Sequence, residues 1–328
     1  MPKTKFFDEK YALGREVLVG HTDALSSILE HLEIYAAGLG DNTRPVGSFL
    51  LAGPTGCGKT TLARAVAYAL HYDSKKLLRV DCGEFQQSHE VAKLLGAPPG
   101  YLGHRESPAL LGQTRLQLQT SEHSPISVIL FDEIEKAAPE FHDLLLGILD
   151  AGRLTLGNNE VTSFASSLIL MTSNQGVKDT STKLKYGFTP TTLSETAKKS
   201  IIKASIERFF SPEFRNRLDG ILVMNQLSRE EVKDVVRHEL AAVFDGAPVD
   251  VSIDETVLDK ITDFGYSEEF GARQVKRIIE QKLVHPVARI ILNGVKPNQV
   301  VTITTTPTGF LIKTTEREYG QLAVGQNS

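Results

Sequence analysis

Five short, nearly unbroken apolar runs punctuate the first two thirds of the chain: VGSFLLA (46–52), LLRVDC (77–82), SVILFD (127–132), SLILMT (167–172) and ILVMN (221–225). Runs of this length without polar alternation suit strands buried on both faces, and they alternate here with helical stretches, which is the pattern of a parallel sheet covered by helices. An α/β domain is therefore expected over residues 1–225. After NQLS the periodicity changes. REEVKDVVRHELAAVF and FGARQVKRIIEQKLVHPVARIIL carry apolar residues at helical spacing with charges between them. Two alternating runs, QVVTITT and TGFLIKT, read as a β-hairpin. The pattern predicts a smaller, mainly helical C-terminal domain with a hairpin over 226–315 and a flexible polar tail over 316–328. KDTSTKLKYGFTPTTLSETAKK (178–199), rich in Lys, Thr and Ser, reads as an insertion ending in a helix.

Composition narrows the function classes. A chain of 328 residues, 41% hydrophobic, can fill two cores. A net charge of -4 gives no electrostatic reason to expect a nucleic acid as the main partner. Two cysteines, Cys57 and Cys82, form neither a disulfide framework nor a zinc pattern, which points to a reducing compartment. The first residues lack an apolar run long enough for a signal sequence, and no later stretch approaches the roughly 20 apolar residues of a membrane span. A cytoplasmic protein without membrane contact is expected.

The strongest chemical signal is GPTGCGKTT, comprising Gly53, Pro54, Thr55, Gly56, Cys57, Gly58, Lys59, Thr60 and Thr61. It fits the phosphate-loop pattern G-x-x-x-x-G-K-[ST] and lies between a predicted strand and the helical TLARAVAYAL. Glycines let backbone amides turn toward a β-phosphate, Lys59 reaches β/γ oxygens, and Thr60 offers a hydroxyl to Mg²⁺, so ATP and Mg²⁺ are the expected ligands. The second signal is VILFDEIEK, where a strand ends in two carboxylates. Asp132 can hold the metal's water shell and Glu133 can orient and deprotonate an attacking water. A third strand ends in MTSN, which puts Asn174 at the carboxyl edge where α/β ligands bind.

Together with RPVGSFLLAGPTGCGKT, GAPPGYLG, VILFDEIEKAAPE, DAGRLT, MTSN, SPEFRNRLD and GARQVKR, these stretches form an ordered series over about residues 13–305. The chain resembles the Clp unfoldases of the AAA+ superfamily, and within them the second ATPase module of the two-ring members ClpA, ClpC and ClpB. The resemblance implies an ATP hydrolase working in a homo-oligomeric ring, a hexamer in the family, that threads polypeptide through a central pore. It implies an arginine finger at Arg217 of SPEFRNRLD, reaching a neighbouring subunit's nucleotide. It further implies a sensor-2 arginine at Arg273 of GAR and an adenine-pocket segment at Val19 and Gly20. Tyr101, at the tip of the Pro- and Gly-shaped loop GAPPGYLGH, matches the pore tyrosine that grips substrate; an aromatic face gives contact area without demanding a particular partner.

The sequence departs from the family in several places. HRESPALLGQTRLQLQ follows the pore tyrosine where an acidic, glycine-rich segment is common. His21 stands where a glutamine is usual and Cys57 where a small apolar residue is typical. Tyr186-Gly187-Phe188 lies near the family's peptidase-docking loop but begins with an aromatic. A non-proteolytic assembly or disassembly ATPase, or a nucleic-acid motor on the same core, are the alternatives.

Overall fold

The computed structural model describes residues 4–96, 109–177, 194–267, 271–296 and 299–316. The chain divides between Gln226 and Leu227 into two compact units.

In the first unit, strands β1 (Gly47–Ala52), β2 (Leu78–Asp81), β3 (Ser127–Asp132), β6 (Ser167–Ser173) and β7 (Gly220–Val223) form one sheet in the order β2-β3-β6-β1-β7. All its pairings are parallel. Every residue of β1, β3 and β6 is buried, whereas edge strand β2 alternates between buried and exposed. Because side chains alternate across a strand, the same three strands feed two separate cores. Phe49, Leu51, Val128, Leu130, Leu168 and Leu170 enter one. Leu50, Ala52, Ile129, Phe131, Ile169 and Met171 enter the other. Helices α1 (Lys5–Val17), α2 (Thr22–Ala36) and α3 (Lys59–His71) close the first core with Phe7, Leu25, Ile28, Leu62, Val66 and Leu70. The helices Ser88–Leu95, Pro139–Ala151 and Glu195–Phe209 close the second with Leu94, Phe141, Leu145, Ile148, Ile202 and Ile206.

The five apolar runs thus become the five strands, in an α/β sheet flanked by helices. One small hairpin, β4 (Arg153–Thr155) with β5 (Val161–Ser163), has no counterpart in the hydrophobic pattern, since its three-residue strands bury only Thr162 fully.

The second unit packs helices Arg229–Phe244, Glu255–Gly265 and Val275–Ile279 around Val232, Val236, Val257, Ile261 and Leu283. Its hairpin, β9 (Gln299–Thr306) and β10 (Gly309–Glu316), reaches one residue beyond 315. Strand β8 (Val251–Ile253), too short to stand out in the sequence, joins β9 in parallel. The long helical pattern beginning at FGARQ is interrupted by a π-helical turn, Glu280–Val284, before the helix His285–Leu292. Pro286 has no N–H to give to the preceding turn, and a widened turn accommodates it without a break.

His71, at the end of α3, is buried, with Nδ1 bonded to Ser121 Oγ at 2.9 Å. Burial pushes its imidazole below the ordinary value. The unfolded chain therefore takes up a proton near pH 6.5 that the folded chain resists, so this contribution is full above that pH and is lost as pH falls below it. Urea titrations at pH 7.5 and 5.5 are expected to show wild type losing more stability on acidification than His71→Phe, by at most about one decade in the folding equilibrium constant per pH unit.

Candidate functional site

The parallel register brings the carboxyl ends of β3, β6 and β1 side by side, and each end continues into polar residues. The loop 53–58 leaves β1 and enters α3 through Gly58 at φ 104°. Gly53 allows no side chain: a Cβ there would lie 2.3 Å from the Met224 carbonyl oxygen. Gly56 adopts φ 78°, so the loop turns through conformations that side chains disfavour and gathers its amides at the N-terminus of α3.

Lys59 is buried, and its Nζ donates to the carbonyls of Gly53 (2.7 Å) and Pro54 (2.9 Å) and to Asn174 Oδ1 (2.9 Å). Burial pushes its ammonium below the ordinary lysine value, against the pull of Glu135, Asp132 and Glu133. Asn174 Nδ2 in turn donates to Glu133 Oε1 at 3.3 Å. One carboxamide therefore spans the lysine of the phosphate loop and the acid after β3. Glu133 sits in the left-handed region, φ 58° and ψ 52°. Its backbone N–H is held by Thr172 Oγ1 at 2.8 Å, and its second oxygen pairs with Lys136.

Asp132 is buried and fully engaged. Thr172 Oγ1 donates to its Oδ1 at 2.5 Å, and Arg79 donates to its Oδ2 through Nε (2.9 Å) and Nη2 (2.6 Å). On the other flank, His21 Nε2–H donates to the Cys57 carbonyl at 2.8 Å, and Arg15 reaches the Gly20 carbonyl at 3.3 Å. His21, which follows Val19 and Gly20, is thereby tied to the loop. Burial pushes the thiols of Cys57 and Cys82 up and so disfavours their thiolates. Thr60 is partly exposed and Thr61 exposed at the start of α3.

Arg217 stands apart from this cluster. Arg217 follows the short helix Pro212–Arg215, and its carbonyl accepts from Ser48 Oγ (2.9 Å) and Arg44 Nη2 (3.4 Å), while its Nε donates to Asp150 at 2.7 Å. Ser48 is the second residue of β1 and Gly53 follows its end, so strand rise alone separates that anchor from the loop by about 16 Å. Arg217 is thus held at the amino edge of the sheet, away from its own chain's phosphate loop. Arg273 is exposed in the turn before the helix Val275–Ile279 of the second unit. Tyr101 and Tyr186-Gly187-Phe188 lie outside the described residues.

Four participants escaped the motif reading. Arg79 and Thr172 hold Asp132, Lys136 pairs with Glu133, and Glu135 Oε1 accepts from the Asn174 backbone N–H at 3.0 Å. A charged residue inside the apolar run LLRVDC was the available signal for Arg79.

The donor set suits a hard cation and a polyphosphate. Among the described residues no group of three or more His, Cys, Asp and Glu could hold a metal by itself. One carboxylate and one hydroxyl supplemented by phosphate oxygens is the way Mg²⁺ is usually held. No described helix is long and apolar enough to cross a membrane.

Residues 44–221 match the family model of the AAA domain (Cdc48 subfamily), and residues 227–303 match that of the C-terminal, D2-small domain of ClpB protein. The chain is 38% identical over 285 residues to the ATP-dependent Clp protease ATP-binding subunit ClpC of Staphylococcus aureus, covering 85% of this chain and 34% of that protein. It is 35% identical over 299 residues to heat shock protein 104 of Schizosaccharomyces pombe, covering 89% of this chain and 32% of that one. The chain therefore spans about a third of the length of the curated relatives it matches. Among solved structures it resembles a closed-state reconstruction of Hsp104 with ATPγS and FITC casein, with a TM-score of 0.78, 29% identity and coverage of 95% of this chain and 52% of that chain. The S. cerevisiae Hsp104:casein complex in its extended conformation gives a TM-score of 0.78 at 28% identity, covering 95% of this chain and 53% of that one.

Thr172 bonds the carboxylate of Asp132 and the amide of Glu133 with one hydroxyl. Thr172→Val is expected to lower stability by about 1–3 kcal/mol in urea denaturation, because it leaves a buried carboxylate oxygen and an amide without that partner. Thr172→Ser, which keeps the hydroxyl, loses less.

Proposed function

Because the chain belongs to the AAA domain family, Cdc48 subfamily, and carries a ClpB-type D2-small domain after it, we propose that it is an ATP-hydrolysing protein unfoldase. It works in a ring of identical subunits, six by family likeness, and draws polypeptide through the central channel. The observation that carries the hydrolytic reading is the bridge from Lys59 through Asn174 to Glu133 at the carboxyl edge of the sheet. The two reconstructions of Hsp104 with casein support the polypeptide substrate.

In this reading the amides of 53–58 and the N-terminus of α3 bind the phosphates, and Val19 and Gly20 flank the adenine. Lys59 exchanges the carbonyls of Gly53 and Pro54 for β/γ oxygens. Thr60 and Asp132 would hold Mg²⁺, which would neutralise phosphate charge. Glu133 releases Lys136, orients a water and takes its proton as the new P–O bond forms and the bond to the β-phosphate oxygen breaks. Asn174 keeps Glu133 and the γ-phosphate region in register. Arg217, held far from its own loop, serves the next subunit, where its guanidinium offsets transition-state charge. Arg273 reports nucleotide state to the second unit. Tyr101 grips the substrate, and Tyr186-Gly187-Phe188 docks a peptidase.

Glu133→Gln should bind ATP yet hydrolyse it at least about a hundredfold more slowly, since an amide orients water but cannot accept its proton. Lys59→Ala should instead lose nucleotide binding, read with a fluorescent ATP analogue. Wild-type turnover in purified Glu133→Gln would remove Glu133 from the mechanism.

Arg217→Ala should keep its ATP affinity while turnover falls by ~10³. Mixing it with Glu133→Gln should restore part of the rate, because some subunits then pair an intact Arg217 with an intact Glu133. Unchanged turnover in homogeneous Arg217→Ala defeats the trans assignment.

Tyr101→Ala should leave basal hydrolysis intact and stop unfolding of a tagged fluorescent substrate. Tyr101→Phe should be mild, since only a hydroxyl worth about 0.5–1.5 kcal/mol is lost. Unfolding at the wild-type rate by Tyr101→Ala would show that another residue grips the substrate.

A further inference from the structure

We propose that Glu135 is a positioning residue of the hydrolytic site, acting through Asn174 without touching the nucleotide. The inference rests on the hydrolytic reading above.

Glu133 leaves β3 in the left-handed region, and the chain then makes a single 3-10 turn, Ile134–Lys136. The turn sends consecutive acids to different tasks. Glu133 meets the carboxamide of Asn174, and Glu135 meets its backbone: Oε1 accepts from the Asn174 N–H at 3.0 Å. Asn174 lies just beyond the last residue of β6. Its amide, released from the sheet ladder, needs an acceptor, and a carboxylate reaching from the neighbouring strand end supplies a charge-assisted one.

The consequence lies in leverage. The Asn174 side chain has only two torsions between its Cα and the atoms that touch Lys59 and Glu133. Where the Cα sits therefore decides whether Oδ1 and Nδ2 can meet both partners together. Glu135 fixes that origin from β3, the strand that also delivers Asp132 and Glu133, so the acid and the amide that orients it share one foundation. The other oxygen, Oε2, is buried and bonds to no described group. The carboxylate is thus not held in place by a second partner, and Asn174 is the one hydrogen-bond contact found for its side chain among the described residues.

Substitutions at Glu135, read by turnover, nucleotide affinity and amide exchange, test this. Glu135→Ala should lower kcat about ten- to a hundredfold, the size of effect a misplacement near 1 Å produces, with little change in KM for ATP or in affinity for a fluorescent analogue. Glu135→Gln keeps an oxygen for the amide and should recover most of the rate. Glu135→Asp, which keeps the charge but withdraws the oxygen by one methylene, should remain slow, and it serves if Glu135→Ala does not fold. In an Asn174→Ala background Glu135→Ala should cost little more, because the side chain it positions is gone.

Amide exchange at residue 174, measured by NMR or mass spectrometry without nucleotide, should speed up in Glu135→Ala and stay near wild type in Glu135→Gln. This readout does not depend on hydrolysis: a wild-type chain that fails to turn over ATP defeats the hydrolytic reading, while the exchange data still decide whether Glu135 holds Asn174. Full additivity with Asn174→Ala, a Glu135→Gln as slow as Glu135→Ala, or unchanged exchange at 174 would each overturn the proposal.

Discussion

Burial of β1, β3 and β6 on both faces is the constraint from which the rest follows. A strand sandwiched between two cores has no lateral surface for polar chemistry, so such residues can appear only where the strand stops. Since the three are parallel and adjacent, they stop together, and neighbouring strands lie only about 4.8 Å apart. Side chains of ordinary length can therefore bond across from one end to the next. The bridge from Lys59 through Asn174 to Glu133 is the result. The same geometry fixes the opposite edge, where Ser48 and Asp219 stitch the segment carrying Arg217 to the beginning of β1.

Charge at the carboxyl edge is matched locally. Asp132 faces Arg79, Glu133 faces Lys136, and Glu135 lies close enough to Lys59 to affect its proton affinity. These pairs differ in burial and so in worth. Lys136 and Glu133 are partly exposed and can part at little cost. The Asp132 carboxylate is buried, and removing its partners would strand a charge in a poorly solvated place. The edge thus combines a stiff element, Asp132, with a movable one, Glu133.

The five strands of the main sheet and the phosphate loop were legible because each is carried by a contiguous signal: an apolar run, or a spacing of glycines and a lysine. What stayed hidden is relational. Arg79 is one charge in a strand, and only the register of β2 on β3 makes it Asp132's partner. Glu135 carries no signal of its own in VILFDEIEK, and only the 3-10 turn brings it against Asn174. The hairpin β4–β5 and strand β8 were missed because three-residue strands give too few positions for alternation to register. The π turn before Pro286 was missed because a proline in a helical pattern permits a kink, a stop or a widened turn.

The hydrogen bond from His21 to the Cys57 carbonyl reaches further than its two atoms. A trans peptide unit is planar, with its carbonyl and the next residue's N–H pointing opposite ways. By capturing the Cys57 oxygen, the imidazole directs the N–H of Gly58 to the far side of that plane, so the ring aims a donor it never contacts. The plane is bordered by Gly58 itself, at φ 104°, where no Cβ restrains rotation. A ring from outside the loop thus supplies the orientational memory that the glycine gives up.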